Sequence, residues 1–162
     1  MSAAVAQTEP QSLILPGLVA LLREAADAAG AFVHEAKGPV KAKISAGGKI
    51  DRKLADVEQH AVHGYGWYAS YGELLNQVAG WAERLEADGA FGETEALLAQ
   101  LLFSEYAAQM IGGIPMNQGE TIRPADLGVA PETLEKLFAA PLLTLVNQGG
   151  GQAVKIRVAD LV

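Results

Sequence analysis

Residues 54–85 decide the fold: they read LADVEQHAVHGYGWYASYGELLNQVAGWAERL and contain no proline. Apolar or small residues recur in this stretch at alternating spacings of three and four. That is the period of one helix face packed against neighbouring helices. The pattern predicts one uninterrupted scaffold helix, about 50 Å long at 1.5 Å per residue. The members of the stripe are Leu54, Val57, Ala61, Gly64, Tyr68, Tyr71, Leu75, Val78, Ala82 and Leu85.

Proline, glycine and capping residues place the ends of the first two helices. A first helix is predicted from about Gly17 to about Val33, with Gly38-Pro39 ending it because proline breaks a helix interior. Asp51 is predicted to cap the scaffold helix through its carboxylate, and Asp88-Gly89 to end it. Residues 45–48 (SAGG) have the composition of a turn.

The second half of the chain is predicted to hold a third helix and shorter elements. The third helix runs from Glu93 to Ile111, with residues 112–113 (GG) after it, and residues 114–129 are a loop. Pro131 and Pro141 each open a short helix. Residues 152–162 alternate as a strand does, but a terminal helix is equally compatible. The predicted core side of the third helix consists of Leu97, Leu98, Leu101, Leu102, Ala108 and Ile111.

Length and charge limit the classes of protein. A chain of 162 residues predicts one domain, and a net charge of -7 argues against binding to nucleic acid phosphates. The chain has no cysteine, signal peptide or stretch long enough to span a bilayer, so we expect a cytoplasmic protein. Residues 1–12 are predicted to be a flexible leader and residues 13–148 the bundle. Residues 149–162, which open with GGG and are read as a flexible break, are predicted to be a linker or terminal segment.

Glu58, His60 and His63 cluster on the predicted scaffold helix, and Glu105 on the third helix could add a carboxylate. Two histidines three apart on a helix can begin a metal site. The HExxH order of metalloproteases and the Glu-x-x-His pair of di-iron bundles are both absent. A role at the surface or the core edge is therefore favoured over a ligand role. Glu105 could also be a buried acid with a raised pKa, although such a residue more often pairs with an arginine or caps an exposed seam.

Other polar residues carry little chemical signal. His34 lies near the predicted end of the first helix, where a structural role is favoured because a cation there suits the helix dipole. Ser70, Ser104 and Thr121 lack the sequence context of an activated nucleophile. The glycines at 112, 113 and 119 match no phosphate-binding loop. The sequence therefore predicts no catalytic, cofactor-binding or metal-binding residue in this chain.

Aromatic residues are dense on the scaffold helix: Tyr65, Trp67, Tyr68, Tyr71 and Trp81. Basic residues do not interleave with them, so stacking on nucleic acid is not indicated. Core packing and a partner interface are both compatible with this group.

One segment resembles a known family. Residues 104–115 read SEYAAQMIGGIP, and Gln109 to Pro115 resembles the Q-x-x-G-G-x-G segment in the C-terminal helical domain of acyl-CoA dehydrogenases, which helps to bind FAD across a subunit interface. Here Pro115 replaces the last glycine, and residues 116–120 (MNQGE) replace the aromatic and acidic residues expected next. The resemblance therefore implies the fold of that domain without its FAD contacts.

A wider resemblance covers most of the chain from about Leu15. Residues 58–67 (EQHAVHGYGW), 71–85 and 104–128 are similar to the N-terminal helical extension of bacterial methylsuccinyl-CoA dehydrogenases. Those are flavoproteins of the ethylmalonyl-CoA pathway, in which the extension precedes an acyl-CoA dehydrogenase core. The resemblance implies that FAD, the acyl-CoA pocket and the catalytic carboxylate belong to that core. It also implies that residues 149–162 lead toward this missing catalytic core.

The combined prediction is an all-α helical bundle with one long central helix, resembling the C-terminal helical domain of acyl-CoA dehydrogenases. Its predicted function is a non-catalytic accessory domain that packs on the dehydrogenase core, or across a subunit interface, through the Trp67/Trp81 flank. Two alternatives stay open. One is a metal- or ligand-binding bundle at His60, His63 and Glu105, and the other is a free-standing interaction module that forms homo-oligomers.

Overall fold

Helices dominate residues 12–162, the part of the chain that the computed structural model describes. The all-α prediction is confirmed, while residues 1–11 of the predicted leader lie outside the described part. No helix in residues 12–162 is long and apolar enough to cross a bilayer. The helices are α1 (Leu18–Lys43), α2 (Arg52–Val57), α3 (Gln59–Ala87), α4 (Glu93–Gly112), α5 (Pro131–Leu134), α6 (Ala140–Thr144) and α7 (Gln152–Leu161).

The scaffold helix begins and ends where the sequence predicts, but it is broken at Glu58. Asp51 caps α2 by accepting hydrogen bonds from the backbone N–H groups of Lys53 and Leu54, at 2.8 and 3.1 Å. Glu58 then leaves helical geometry (φ -93°, ψ 21°), and α3 starts after it. The prediction of one unbroken helix is wrong because α2 buries no residue, and Val57 is 78% exposed. Because the apolar residues at the start of the stripe have no neighbour to pack on, packing does not stabilise one continuous helix through Glu58.

The far end of α3 confirms the predicted stop. Asp88 follows the last helical residue, and Gly89 adopts a left-handed φ of 67°. The helix has 29 residues, about 43 Å at 1.5 Å per residue.

Helix α1 continues through the proline that was predicted to end it. Pro39 lies inside α1, which runs on to Lys43. Phe32, Ala36 and Val40 are all buried at spacings of four, so the last turns keep adding to the core. Burial therefore outweighs the cost of about 3 kcal/mol that an interior proline imposes. His34 consequently lies within α1 and not near its end.

Helices α1 and α3 form the central pair of the bundle. Gly72 of α3 faces α1 so closely that an added Cβ would lie 3.0 Å from Val33 Cγ2. The rings of Phe32 and Tyr68 lie 5.4 Å apart, and the Tyr68 hydroxyl donates to the Met110 carbonyl at 3.0 Å. The fully buried face of α3 consists of Ala61, Gly64, Tyr68, Gly72, Leu75, Ala79 and Ala82.

Two β-hairpins interrupt the helices and were not predicted. The first pairs β1 (Ser45–Ala46) with β2 (Lys49–Ile50) across a turn at residues 47–48. The second pairs β3 (Ile114–Asn117) with β4 (Glu120–Ile122), inside the segment predicted to be a loop. Ile114 and Ile122 are fully buried, so this hairpin closes the end of the core beside Tyr68.

The C-terminal part winds back along α4. The short helix predicted at Pro131 is confirmed and continues as a 3₁₀ turn at Glu135–Phe138. The helix at Pro141 is also confirmed and runs into a π turn at Leu145–Gly149. Gly149 is buried in that π turn, whereas Gly151 after it is exposed. The tail after them is the helix α7, which settles the alternative left open by the sequence.

A buried glutamine on α4 ties three parts of the chain together. The Gln100 Nε2 group donates to the carbonyls of Leu13 and Gly149, at 3.0 and 3.1 Å. Its Oε1 accepts from the Leu15 N–H at 2.8 Å. Since Gln100 is fully buried, these bonds satisfy its amide and fix the segment before α1 against the turn before α7.

Candidate interaction surface

The sides of α3 and α4 that face away from α1 form an aromatic row. Trp67 and Tyr71 stand 6.2 Å apart between ring centroids, and Tyr71 meets Tyr106 of α4 edge to face at 4.7 Å. The Trp67 indole N–H donates to His63 Nε2 at 3.1 Å. All three of Trp67, Tyr71 and Tyr106 are only partly buried. Of the aromatic group singled out in the sequence, Tyr68 therefore belongs to the core, whereas the other members are only partly buried at the surface.

Next to this row lies an apolar groove between α3 and α4, with a volume of about 480 Å³. Val78 and Trp81 form its α3 wall, and Tyr106 joins it to the aromatic row. Leu98 is 38% exposed in the groove although it was predicted to be core. We call this surface the α3–α4 face. The α4 wall of the groove consists of Leu98, Ala99, Leu101, Leu102, Glu105 and Tyr106.

The prediction for α4 is wrong in part because apolar residues occur on every side of that helix. Leu97 is buried as predicted, whereas Leu98 and Ala108 are exposed. The buried side is marked by small residues and by Phe103, not by the leucines. The residues of α4 that are buried are Ala96, Leu97, Ala99, Gln100, Phe103, Ser104, Ala107 and Met110.

Charge at the edge of the groove is paired within the chain. Glu105 is half exposed, and its Oε1 lies 2.6 Å from Lys155 Nζ of α7. The alternative that Glu105 is a buried acid is therefore wrong. Two residues further along α7, Arg157 forms two hydrogen bonds to the Glu93 carboxylate, at 2.8 and 2.7 Å. These pairs fix α7 along α4 and leave the groove floor apolar.

The histidines and acids considered as metal ligands have separate partners. Glu58 contacts Lys43 at 3.2 Å, and Glu105 contacts Lys155. His60 Nδ1 lies 2.9 Å from Glu120 Oε1, and this hydrogen bond lowers the pKa of Glu120. His63 accepts from Trp67. Within residues 12–162, no three metal-ligating side chains converge.

The candidate serines also have structural surroundings. The Ser70 hydroxyl donates to the Gly66 carbonyl at 2.9 Å, one turn back in α3. Ser104 is buried and packs against the turn at Gly149 and Gly150. Thr121 is exposed on β4. None of these hydroxyls has a histidine as its hydrogen-bond partner within residues 12–162, so the structure gives no activated nucleophile there.

The segment that resembles a flavin-binding loop is built into the bundle. The Tyr71 hydroxyl donates to Gln109 Oε1 at 2.9 Å, and burial raises the pKa of Tyr71, which keeps this donor protonated. Gly113 adopts a φ of 125°, a conformation that favours glycine. The chain then enters β3 with Ile114 buried. Gln109 and the glycines thus serve the turn from α4 into the hairpin.

Sequence reasoning missed Gln100, the one fully buried polar side chain of the described part that joins three segments. A glutamine at a core-facing position of a helix, where leucines would be expected, was the available signal. Its partners, Leu13, Leu15 and Gly149, lie 49 to 87 residues away along the chain. Only the folded structure brings them together.

Comparison with known proteins gives one informative relative. No protein-family model matches the chain. The chain is 42% identical over 116 residues to the (2S)-methylsuccinyl-CoA dehydrogenase of Cereibacter sphaeroides. The match covers 72% of this chain and 21% of the relative, so the chain spans about a fifth of the relative's length. The all-α bundle fits a helical domain like that of acyl-CoA dehydrogenases. The predicted resemblance is thereby confirmed: the chain is similar to a segment of a methylsuccinyl-CoA dehydrogenase.

Proposed function

We propose that this chain is a non-catalytic helical accessory domain of a flavin-dependent acyl-CoA dehydrogenase that acts on methylsuccinyl-CoA. The observation that carries the proposal is the identity of 42% over 72% of the chain, confined to about a fifth of the relative. In this proposal the domain packs on the catalytic core or at a subunit interface. A cytoplasmic location stays a prediction from the sequence.

The bonding of Gln109 supports the non-catalytic part of the proposal. Its side-chain oxygen accepts from Tyr71, and the glycines after it form the turn into the β3–β4 hairpin. A flavin donor would have to share this oxygen with Tyr71, and a flavin acceptor would have to bind the amide hydrogens of Gln109. The segment is therefore better suited to hold α4 against α3 than to receive a cofactor.

The α3–α4 face supports the packing part of the proposal. Tryptophan and tyrosine are enriched where two protein surfaces meet, because each combines a large apolar body with a polar group. Here Trp67, Tyr71 and Trp81 stay partly exposed on one side of the bundle. A domain that rests against a larger body would bury them.

The test uses the full-length polypeptide that contains this chain. We expect it to purify with stoichiometric FAD and to oxidise methylsuccinyl-CoA with an artificial electron acceptor. A Gln109→Ala variant is expected to keep the same FAD content, measured by flavin absorbance. The matched control is Gln118→Ala, which removes an exposed amide in the nearby hairpin turn.

Two results would contradict the proposal in different ways. FAD loss in Gln109→Ala but not in Gln118→Ala would show that this chain supplies a flavin contact. A full-length protein that neither binds FAD nor oxidises the thioester would separate the chain from flavin-dependent dehydrogenases altogether.

A further inference from the structure

We propose that the α3–α4 groove seats an apolar ridge of the dehydrogenase body that belongs to the same polypeptide. This inference rests on the proposed function and names the surface and the partner through which the accessory domain would act. The occupant is a helix or loop that presents uncharged side chains such as leucine, methionine or phenylalanine.

The chemistry of the groove determines the occupant. Its lining is mostly apolar, and the one charged side chain among its lining residues, Glu105 at the edge, is already paired with Lys155. A charged side chain entering the groove would lose its hydration without gaining a counter-ion. An apolar ridge would instead displace water from leucine and tryptophan surface, which is favourable.

The size of the groove argues against a second copy of this chain as the occupant. Eight residues line it, whereas a stable interface between separate proteins uses about 20–30 residues on each side. Each copy also carries a net charge of -7, so self-association brings like charges together. A small apolar surface of this kind does not hold a free partner well.

The same small surface is sufficient for a partner on the same chain. A tethered partner is present at an effective concentration in the millimolar range, because its binding is intramolecular. The relative is about five times longer than the segment that matches, so most of its polypeptide lies outside that segment. The aromatic row continues the groove through Tyr106 and would widen the contact along α3 toward Trp67.

Cysteine labelling of the full-length protein tests the inference, since these 162 residues contain no cysteine. Leu98→Cys places a thiol in the groove, and Phe138→Cys is the control on a different surface. The two parent side chains are 38% and 54% exposed, a difference of less than twofold. Maleimide modification of each site is followed by mass spectrometry of its own peptide, and FAD content is measured on the same samples.

We expect Leu98→Cys to react about tenfold more slowly than Phe138→Cys when the docked state holds about 90% of the molecules. The protection should not change with protein concentration. Equal labelling rates in a protein that binds FAD would overturn this inference and leave the proposed function standing. Protection that grows with protein concentration would instead identify a second copy as the occupant. A protein without FAD would remove the proposed function, and this inference with it.

Discussion

The two sides of the α3–α4 pair differ in the size and the burial of their side chains. On the side facing α1 and the β3–β4 hairpin, α3 presents mainly glycine and alanine around Tyr68 and Leu75, all of them buried. On the opposite side the same helix presents Trp67, Tyr71 and Trp81, which are larger and stay partly exposed. Small residues therefore close the core, while the large aromatic residues lie where residues 12–162 leave them partly exposed.

This difference separates the residues that the chain needs for folding from those that could contact a partner. The close approach of α1 and α3 depends on glycine and alanine, which have small side chains or none, as at Gly72, where an added Cβ would press on Val33. The aromatic residues of the other side contribute little to that closure. We therefore expect substitutions on the core side to change folding stability strongly, and substitutions on the α3–α4 face to change contact with a partner.

The largest effect is expected from Tyr68→Ala on the core side. The substitution empties a fully buried aromatic site and leaves the carbonyls of Met110 and Ile122 without their donor. Aromatic-to-alanine changes in cores cost about 3–5 kcal/mol of the free energy of unfolding. Urea unfolding measures this loss in the free energy of unfolding. Leu98→Ala on the other side is the comparison, with an expected cost below about 1 kcal/mol because the side chain is already part exposed.

If the two substitutions cost the same, the distinction between the two sides is wrong. A Tyr68→Phe variant isolates the hydroxyl, because it keeps the ring. Its expected cost is about 1–2 kcal/mol, the usual penalty for a buried hydrogen bond that is left unmade.

A smaller effect is expected from single methyl groups added to α3. In Gly64→Ala the new Cβ would lie 2.5 Å from Ile122 Cδ1, so the β3–β4 hairpin must shift. Overpacking of this kind costs about 1–3 kcal/mol. Gly66→Ala is the matched control, since Gly66 is exposed and an added Cβ would meet nothing within 4 Å. That control should stabilise α3 by up to about 1 kcal/mol through helix propensity, again by urea unfolding. Stabilisation of similar size at the two positions would be inconsistent with close contact at Gly64.

The smallest effect is expected when the pH is lowered, which weakens the ion pair that attaches α7 to α4. The hydrogen bonds from Arg157 lower the pKa of Glu93 below its usual 4.5. The carboxylate therefore stabilises the attachment fully above pH 4.5, and this contribution is lost as the pH falls through the lowered pKa. Amide resonances of α7 followed by NMR between pH 7 and pH 3, at fixed salt, should shift toward unfolded values at the acid end.

A Glu93→Gln variant serves as the control for this titration, because it removes the charge at every pH. Its α7 resonances should already be shifted at pH 7 and should change less on acidification. Unchanged α7 resonances in the parent protein at pH 3 would show that Val154 and the other apolar contacts hold α7 without the ion pair.

The sequence predicted the parts of the fold that depend on local signals. Asp51 as a cap, Asp88-Gly89 as a stop, and the helix starts at Glu93 and Pro131 need only neighbouring residues. The predictions were wrong where contacts between residues far apart in the sequence determine the structure. Pro39, for example, stays helical because Ala36 and Val40 reach the core. The hairpin at residues 114–122 exists because Ile114 and Ile122 close the end of the bundle, a role that no local pattern shows.

The candidate surface was only half predictable for the same reason. The density of aromatic residues on the scaffold helix marked the Trp67 and Trp81 flank, which is partly exposed in the structure. The groove itself was missed because α4 is apolar on all sides, so periodicity does not distinguish Leu97, which is buried, from Leu98, which is exposed. Residue size was the better indicator, since three of the four alanines of α4 are buried in the core and three of its four leucines line the groove.

Gln100 has a mechanical consequence. The segment at Leu13 and the turn at Gly149 are both bonded to the same side-chain amide. Tension pulling these two points apart would act on the bonds of that amide. Loss of both bonds would uncouple the segment at Leu13 from the turn at Gly149, while α7 keeps its ion pairs to α4.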